Sequence, residues 1–173
     1  QIATRYPHQV SGGQARRIGM ARALLMQPDL VVADEPTAGL DVSVQGELLN
    51  LLLDLRAELG LTWLVVSHNL NVVRRVTDRT AVMYLGQVVE EAPSRELFAR
   101  PAHPYAAALV AANPGLHGGP RRPRILLQGE IPSVLNPPPG CRFHTRCPVA
   151  RPRCAAEAPK LAEVAPGRVA RCH

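Results

Sequence analysis

The sequence predicts an α/β fold with parallel strands, and three stretches of the chain carry that prediction. Residues 30–33 and residues 61–66 are short, continuous apolar runs that end at polar residues, which is typical of strands buried on both faces. Between them, leucines recur at helical spacing from Leu48 to Leu59. A strand, a helix and a strand in this order favour a right-handed crossover within one parallel sheet.

Two helices of this region carry their own start and stop signals. The first is expected to begin near Ser11 and to end before Pro28, because proline cannot continue a helix. The central helix has Asp41 or Ser43 as its N-cap and Gly60 as its C-cap. The apolar stripe of the first helix is expected to face a core, and it consists of Ile18, Ala21 and Leu25.

Beyond the second strand the sequence changes character. Residues 80–91 predict a β-hairpin with a two-residue turn at Gly86 and Gln87. Residues 113–139 are rich in Gly, Pro and Arg and lack periodicity, which predicts a linker. Residues 140–173 are expected to form a small irregular extension that holds all four cysteines, namely Cys141, Cys147, Cys154 and Cys172.

Composition limits the chain to one ordinary core and a small appendage. Its 173 residues are 46% hydrophobic, and no stretch reaches the roughly 18 consecutive apolar residues that span a bilayer. The chain starts at Gln1 without a secretory signal, and we interpret this start as the cut end of a longer protein.

The net charge of +6 is concentrated in the C-terminal third of the chain. Residues 1–118 hold 10 Lys and Arg against 11 Asp and Glu, whereas residues 119–173 hold 10 against 3. Such a basic tail fits nucleic acid, anionic lipid, a solvated surface or an anionic group held inside the tail itself.

Three polar motifs lie where α/β proteins bind phosphates. One opens the first helix, whose N–H groups and dipole favour an anion, and it consists of Ser11, Gly12, Gly13 and Gln14. At the end of the first strand, Asp34 can hold Mg²⁺ and Glu35 can deprotonate an attacking water. His68 ends the next strand at the same sheet edge. Each motif alone also fits a structural loop or turn, whereas their common placement predicts phosphate chemistry.

The order of these motifs resembles the nucleotide-binding domain of ABC ATPases. The resemblance rests on SGGQ at 11–14, LVVADEPT at 30–37, AGLD at 38–41 and VVSHNL at 65–70. It covers about residues 1–92 and implies an α/β P-loop NTPase fold of the ABC ATPase type. We predict that residues 93–173 form a separate extension.

The same resemblance implies a role for each motif in ATP hydrolysis. Residues 11–14 would be the signature loop, which contacts the γ-phosphate of ATP held by a partner subunit. Asp34 and Glu35 would end the Walker B strand, with Asp34 on Mg²⁺ and Glu35 as catalytic base. Asp41 would belong to the loop that joins the two subunits, and His68 would be the catalytic switch histidine. Each hydrolytic site would thus be shared by two subunits.

Members of this family also begin with a phosphate loop of the form G-x-x-x-x-G-K-[ST], and the sequence contains no such motif. We therefore expect an incomplete nucleotide-binding domain. The full-length subunit is expected to be an ATPase, whereas this chain alone is predicted to be inactive.

The tail indicates a branch of the family. It resembles the C-terminal extension of dipeptide and oligopeptide importer ATPases, and the matching segments are His103-Pro104-Tyr105, Ile131-Pro132-Ser133 and residues 140–148. This resemblance implies a peripheral protein on the cytoplasmic face of the bacterial inner membrane that powers import of peptides or related small solutes. The implied partners are a second ATPase subunit, homologous or identical, two transmembrane permease subunits and an external solute-binding protein.

Other functions remain open at this point. Related importers take up nickel or glutathione. An ABC-type ATPase of DNA repair or chromosome organisation would use the basic tail for nucleic acid, although the importer resemblance leads us to expect no nucleic acid partner. A non-catalytic partner or binding module is a further alternative.

The four cysteines are also compatible with several chemistries. They are separated by five, six and seventeen residues. Disulfides are disfavoured in a chain that lacks an export signal and uses cytosolic ATP, and zinc sites usually draw on a C-x₂₋₄-C pair, which is absent. A four-thiolate [4Fe–4S] cluster tolerates wider spacing, and some peptide-importer ATPases hold one in this extension. The resemblance therefore favours iron–sulfur over Zn²⁺ or unmetallated thiols.

A metal would also explain how this segment becomes ordered. Residues 140–173 contain few large apolar side chains, so we expect all four cysteines to converge on one metal centre. The negative charge of a cluster would be offset by nearby arginines, which are Arg142, Arg146, Arg151, Arg153 and Arg171.

Overall fold

The computed structural model describes residues 4–113 and 125–173, which belong to two compact units, Gln1–Val76 and Thr77–His173. Part of the predicted linker, residues 114–124, lies outside the described residues. Within the described parts, no helix combines the length and the apolar character needed to cross a bilayer.

The first unit has the predicted strand, helix and strand. Its elements are α1 (Gly12–Leu24), β1 (Leu30–Asp34), α2 (Val42–Leu59), β2 (Thr62–Val66) and α3 (Leu70–Val76). Strands β1 and β2 are parallel, with Leu30 opposite Thr62 and Asp34 opposite Val66. The predicted α/β class is therefore confirmed. The caps of α2 also lie where the sequence places them, because Asp41 caps its N-terminus and Gly60 ends it in the left-handed conformation, with φ of 66°.

The core of the first unit is small and lies on one side of the sheet. Leu49 and Leu52 of α2 pack with Val72 of α3, and three half-buried side chains pack against them, namely Met20, Trp63 and Val76. The prediction that both strands are buried on both faces was wrong. The alternate side chains of β1 and β2 point away from this core and are exposed, namely Leu30, Val32, Leu64 and Val66.

Helix α1 turns a different face to the core than its apolar pattern predicts. Its predicted stripe of Ile18, Ala21 and Leu25 is exposed, and Met20 packs inward instead. The reason is a long-range contact at Gly13, where an added Cβ would lie 2.8 Å from Cγ1 of Val44. Met20 lies two helical turns from Gly13 on the same face, so this close approach directs Met20 towards α2.

The second unit contains an antiparallel sheet. Its elements are β3 (Arg79–Tyr84), β4 (Gln87–Pro93), α4 (Ser94–Ala99), α5 (Pro104–Ala111), α6 (Pro152–Ala156), β5 (Ala162–Ala165) and β6 (Arg168–Ala170). The strand order is β3-β4-β6-β5. The extension is thus less irregular than predicted, because β6 adds to β4 with Glu90 opposite Ala170.

The predicted hairpin is β3 and β4, but its turn is one residue earlier than expected. The turn residues are Leu85 and Gly86, with φ of 45° and 75°, and Gln87 already belongs to β4. Two successive positive φ values are the signature of a type I′ turn. The compact units divide ahead of this hairpin, between Val76 and Thr77, whereas the boundary that we predict for the nucleotide-binding part, between residues 92 and 93, stays a prediction.

Phe143 provides the tail with a hydrophobic core. Its ring is fully buried between Tyr84 of the hairpin and Tyr105 of α5, with ring centroids 5.2 and 5.4 Å away. The His103 ring packs against the same Phe143 ring, with the two centroids 5.6 Å apart. Residues 140–173 therefore bury one large side chain of their own, Phe143, against aromatic partners from residues 84–105.

A buried ion pair lies beside this cluster. The Glu90 carboxylate is 1% exposed and accepts hydrogen bonds from the backbone N–H groups of Ala102 and His103, at 2.9 and 2.7 Å. Nη2 of Arg168 lies 3.4 Å from the same carboxylate and donates to the carbonyl of Arg100 at 2.6 Å. The segment before α5 is thereby bonded to the sheet.

Candidate functional site

Glu35 and His68, predicted from separate strand ends, contact each other in the first unit. Oε1 of Glu35 accepts hydrogen bonds from the backbone N–H of His68 at 2.8 Å and lies 2.7 Å from its Nδ1. Ser67 donates its hydroxyl to the other carboxylate oxygen at 3.3 Å. The carboxylate of β1 is therefore held on both oxygens by the residues that end β2.

These contacts fix the charge of Glu35. Its pKa lies below the ordinary value, first because of the backbone N–H of His68 and then through the side chain and charge of His68, while partial burial acts in the opposite direction. The carboxylate is thus ionised at neutral pH, which is the form that accepts a proton from water. The imidazole of His68 is 85% exposed, so its second nitrogen, Nε2, is accessible to a ligand.

The backbone of Glu35 is itself unusual. Its φ of 45° lies in the left-handed region, which costs a non-glycine residue about 1 kcal/mol or more. Its N–H donates to the carbonyl of Val66 at 2.8 Å, which stabilises this conformation. Asp34 precedes it as the last residue of β1, and its side chain is exposed. The two carboxylates therefore lie at the carboxyl end of parallel strands, as predicted.

The predicted anion-binding loop is a capped helix start. Ser11 accepts a hydrogen bond from the N–H of Gln14 at 3.2 Å, and Gln14 accepts one from the N–H of Ser11 at 3.0 Å. The side chain of each residue therefore bonds to the backbone N–H of the other. The N–H groups of Gly12 and Gly13 lie in the first turn, where a helix offers no carbonyl partner.

Asp41 lies at the start of α2, which packs close to that loop. It accepts hydrogen bonds from the N–H of Val44 at 2.9 Å and from the hydroxyl of Ser43 at 2.7 Å. These bonds, that of Val44 first, lower its pKa. Gly12 and Gly13 lie against Leu40 and Val44. The structure thus brings the site residues of the first unit together as two sets, Glu35 with His68, and residues 11–14 with the loop that contains Asp41.

Ser67 is a site residue that the sequence reasoning missed. Its hydroxyl donates to Glu35 and accepts a hydrogen bond from the N–H of Asn69 at 3.1 Å. Its position directly before His68, at a strand end, was the available signal.

The four cysteines of the second unit line one cavity. This cavity has a volume of about 90 Å³, and its walls include His103 and Phe143 besides the cysteines. The backbone joins two of the cysteines, because the N–H of Cys141 donates to the carbonyl of Cys154 at 2.7 Å. The shared cavity agrees with the expectation that the cysteines lie together despite their wide spacing.

The thiols also affect one another electrostatically. Burial raises the pKa of Cys147 most strongly, and Cys141, Cys172 and Cys154 raise it further. Burial likewise raises the pKa of Cys172, followed by Cys141 and Cys154. Removing these thiol protons is costly unless a cation compensates the charge.

The cysteines nevertheless do not form a closed metal-binding group. Across residues 4–113 and 125–173, no three or more His, Cys, Asp or Glu side chains are close enough together to hold a metal ion. The iron–sulfur or zinc centre expected at Cys141, Cys147, Cys154 and Cys172 therefore stays a prediction. The donor type still fits a soft metal, because such sites use up to four thiolates.

Two of the five arginines expected to offset a cluster's charge bond to backbone carbonyls. Arg142 donates to the carbonyl of Leu85, and Arg171 donates to the carbonyls of Val88 and Pro159. Two others interact electrostatically with cysteines, because Arg151 lowers the pKa of Cys172 and Cys154 contributes to raising the pKa of Arg153. The basic side chains of the tail therefore serve both backbone bonding and the surroundings of the cysteines.

Comparison with known proteins assigns both parts of the chain. Residues 89–154 match the family model described as oligopeptide/dipeptide transporter, C-terminal region, and residues 1–38 match the ABC transporter model. The chain is 50% identical to the oligopeptide transport ATP-binding protein AppF of Bacillus subtilis (strain 168), over 99% of the chain and 53% of that protein. It is also 50% identical to the di/tripeptide transport ATP-binding protein DppF of Pseudomonas aeruginosa (strain UCBPP-PA14), over 98% of the chain and 52% of that protein.

The chain spans about half the length of the curated relatives it matches. Among solved structures, it resembles CbiO1 from Clostridium perfringens, part of the ABC transporter complex CbiONQ, with 36% identity and a TM-score of 0.51 over 54% of this chain and 37% of that one. It also resembles MJ1267, an ATP-binding cassette of an ABC transporter, with 31% identity and a TM-score of 0.54 over 61% and 42%. The α/β region is thus similar to part of an ABC nucleotide-binding domain.

Proposed function

Because the chain belongs to the ATP-binding subunits of ABC-type oligopeptide and dipeptide transporters, we propose that its full-length form hydrolyses ATP to drive solute import. The solutes are peptides or related small molecules, and the membrane is the bacterial inner membrane. The observation that carries the proposal is the contact of Glu35 with His68, which holds an ionised carboxylate at the end of two parallel strands.

Each residue of this edge has a defined task in the proposal. The Glu35 carboxylate orients the attacking water and accepts its proton, and His68 keeps that carboxylate in place while its exposed Nε2 faces the phosphate. Asp34 would hold Mg²⁺, which supplies charge compensation for the phosphates when it is bound. The N–H groups at residues 11–14 would bind the γ-phosphate of ATP held by a second subunit, next to the loop of Asp41.

The tail supports the transporter assignment within the ABC class. Residues 89–154 match a transporter-specific region, which favours import over the DNA repair or chromosome-organising alternative. We propose a peripheral subunit at the cytoplasmic face of the membrane. Its partners are a homologous or identical ATPase subunit, two permease subunits and an external solute-binding protein.

The test of this function is Glu35→Gln in the full-length subunit within its complete assembly. Turnover should fall about 10²–10⁴-fold while ATP binding persists, because the general base is lost and the fold is kept. Phosphate release and nucleotide binding are measured side by side, with the exposed Glu58→Gln as control. Unchanged turnover in Glu35→Gln would remove this residue from the catalytic role. The isolated chain is expected to hydrolyse no ATP.

We further propose that the cysteine cavity binds a [4Fe–4S] cluster, with Zn²⁺ as the alternative. Four cysteines that line one cavity support this, as do the raised pKa values of Cys147 and Cys172, which a cation would reverse. Anaerobically purified full-length protein should contain iron and acid-labile sulfide. Zinc without sulfide would mean that the cavity binds Zn²⁺ and not a cluster. Protein free of both iron and zinc would refute the metal centre.

A further inference from the structure

Cys172 reaches the cysteine cavity by a different route from the other three cysteines. Cys141, Cys147 and Cys154 come from one short stretch, whose ends are joined by the hydrogen bond from Cys141 to Cys154. Cys172 follows strand β6 and lies beyond the segment that matches the transporter C-terminal model, which ends at Cys154. Its position therefore depends on how the end of β6 is held.

The backbone of Arg171 continues the pairing of β6 with β4. Its N–H donates to the carbonyl of Val89 at 2.8 Å, beyond the last paired residues, Glu90 and Ala170. Its side chain adds two further bonds, from Nε to the carbonyl of Val88 at 3.1 Å and from Nη1 to the carbonyl of Pro159 at 3.2 Å. The residue directly before Cys172 is thus bonded to two separate segments.

His103 is bonded to the same residue from the cavity side. It is 1% exposed, and its Nδ1 accepts the N–H of Tyr105 at 3.1 Å, so the ring hydrogen must reside on Nε2. A hydrogen bond with the Arg171 backbone raises the pKa of His103, which is the effect of a ring N–H donating to a carbonyl. Burial has the larger, opposite effect and lowers this pKa to about 4, so the ring is neutral at physiological pH.

His103 is itself held in one place. Its backbone N–H donates to the buried Glu90 carboxylate at 2.7 Å, and its ring packs on Phe143. It also lines the cysteine cavity together with Cys172. A rigid, buried side chain therefore bonds the residue that precedes Cys172.

We propose that His103 and Arg171 are positioning residues that hold Cys172 at the cavity formed with Cys141, Cys147 and Cys154. The purpose of this positioning, presenting a fourth thiol to a metal centre, rests on the proposed function of the cavity. The other three cysteines belong to a stretch that has its own backbone bond from Cys141 to Cys154, and this stretch touches His103 through the Phe143 ring and not through the bond to Arg171. Loss of the bond from His103 to Arg171 should therefore affect Cys172 selectively.

Two substitutions at His103 separate this task from its role in capping α5. In His103→Asn, the side-chain oxygen can still accept the N–H of Tyr105, but the side chain is too short to reach Arg171. In His103→Gln, the amide nitrogen lies near the position of Nε2 and can still donate to the Arg171 carbonyl, while the cap is lost. If His103 served only as a helix cap, His103→Gln would expose Cys172 more than His103→Asn. If His103 positions Cys172, His103→Asn should expose it more than His103→Gln.

The measurement is the alkylation rate of each cysteine in metal-free full-length protein, read by mass spectrometry under native conditions. Cys172 is exposed, but partial burial still raises its pKa. In His103→Asn it should react about fivefold faster than in the wild type, because a thiol released from the cavity is more accessible and loses its proton more easily, with Cys141, Cys147 and Cys154 nearly unchanged. His103→Gln should remain close to the wild type. Equal behaviour of the two variants, or a parallel increase at all four cysteines, would overturn the proposal.

Arg171→Ala provides an independent variant if the His103 variants do not fold. It removes the side-chain bonds to Val88 and Pro159, so it should again increase the reactivity of Cys172 alone. An unchanged alkylation rate of Cys172 would contradict the positioning role. These rates are measured without metal, so they test the positioning role whether or not the cavity binds a metal. Wild-type protein that lacks iron and zinc would refute the metal centre, while the rates still decide the roles of His103 and Arg171.

Discussion

The two compact units hold their functional side chains in opposite ways. In the first unit, Glu35 and His68 meet at an exposed sheet edge, where two paired parallel strands bring residues 33 positions apart into contact. In the second unit, the cysteine cavity lies against two fully buried side chains, Phe143 and His103, which come from distant segments. Local substitutions should therefore alter chemistry in the first unit and folding in the second.

The largest effect on folding is expected for Gly140→Ala in the second unit. Gly140 has a φ of 67°, and an added Cβ would lie 2.4 Å from the carbonyl oxygen of Cys154 and 2.6 Å from that of Ala155. Backbone strain and overpacking together should lower the free energy of unfolding by about 4 kcal/mol. Denaturant unfolding followed by near-UV signals measures this.

The matched control for that change is Gly46→Ala in the first unit. Gly46 lies within α2, and an added Cβ there meets nothing within 4 Å. This change should be neutral or stabilise the protein by up to about 1 kcal/mol, because alanine favours helix. Similar losses in the two variants would contradict the close packing inferred around Cys154.

A slightly smaller effect is expected for Arg168→Met. This change leaves the buried Glu90 carboxylate without its cationic partner and should cost about 3 kcal/mol of unfolding free energy. The double variant with Glu90→Gln should recover part of the loss. Arg79→Met serves as control, because its pair with Glu91 is half-exposed and should contribute less than about 1 kcal/mol. Equal costs at Arg168 and Arg79 would show that burial of the pair is unimportant.

The sequence predicted the first unit better because its signals are local. Ser11 and Asp41 cap helices as their residue types require, and Asp34, Glu35 and His68 lie at strand ends because apolar runs stop there. The inward face of α1 could not be predicted in this way. It depends on the approach of Gly13 to Val44, a contact between residues 31 positions apart.

The second unit shows the same limit more strongly. Strand β6 pairs with β4 across 80 residues, between Glu90 and Ala170, and no local sequence pattern in the tail predicts that pairing. The common location of the cysteines could be argued from the shortage of apolar side chains. The role of Phe143, which joins the tail to Tyr84 and Tyr105, could not, because its partners lie in another part of the sequence.

A moderate effect is expected from pH, through His103. Its pKa of about 4 in the folded protein lies below the ordinary 6.5, so the unfolded chain binds the additional proton between these two values. This contribution to stability is complete above about pH 6.5 and is lost progressively as the pH falls towards 4. Lowering the pH from about 7.5 to about 5 should reduce the free energy of unfolding by about 2 kcal/mol through this residue.

The measurement is denaturant unfolding of the second unit at both pH values. His103→Gln removes the titrating group and should reduce the pH dependence, whereas His8→Gln, at an exposed position of the first unit, should leave it unchanged. The same dependence in all three proteins would mean that burial of His103 is not linked to folding.

The smallest effect is expected for the ion pair on the surface of the first unit. Nη2 of Arg17 on α1 lies 2.6 Å from Oε2 of Glu47 on α2, which is short, but the two side chains are 46% and 65% exposed. Water screens such charges, and two long side chains lose conformational freedom when they pair. A double-mutant cycle with Arg17→Met and Glu47→Gln should therefore give a coupling energy below about 1 kcal/mol that declines further in high salt. A coupling as large as that expected at Arg168 would mean that surface charges hold α1 to α2, and would remove the contrast between the two units.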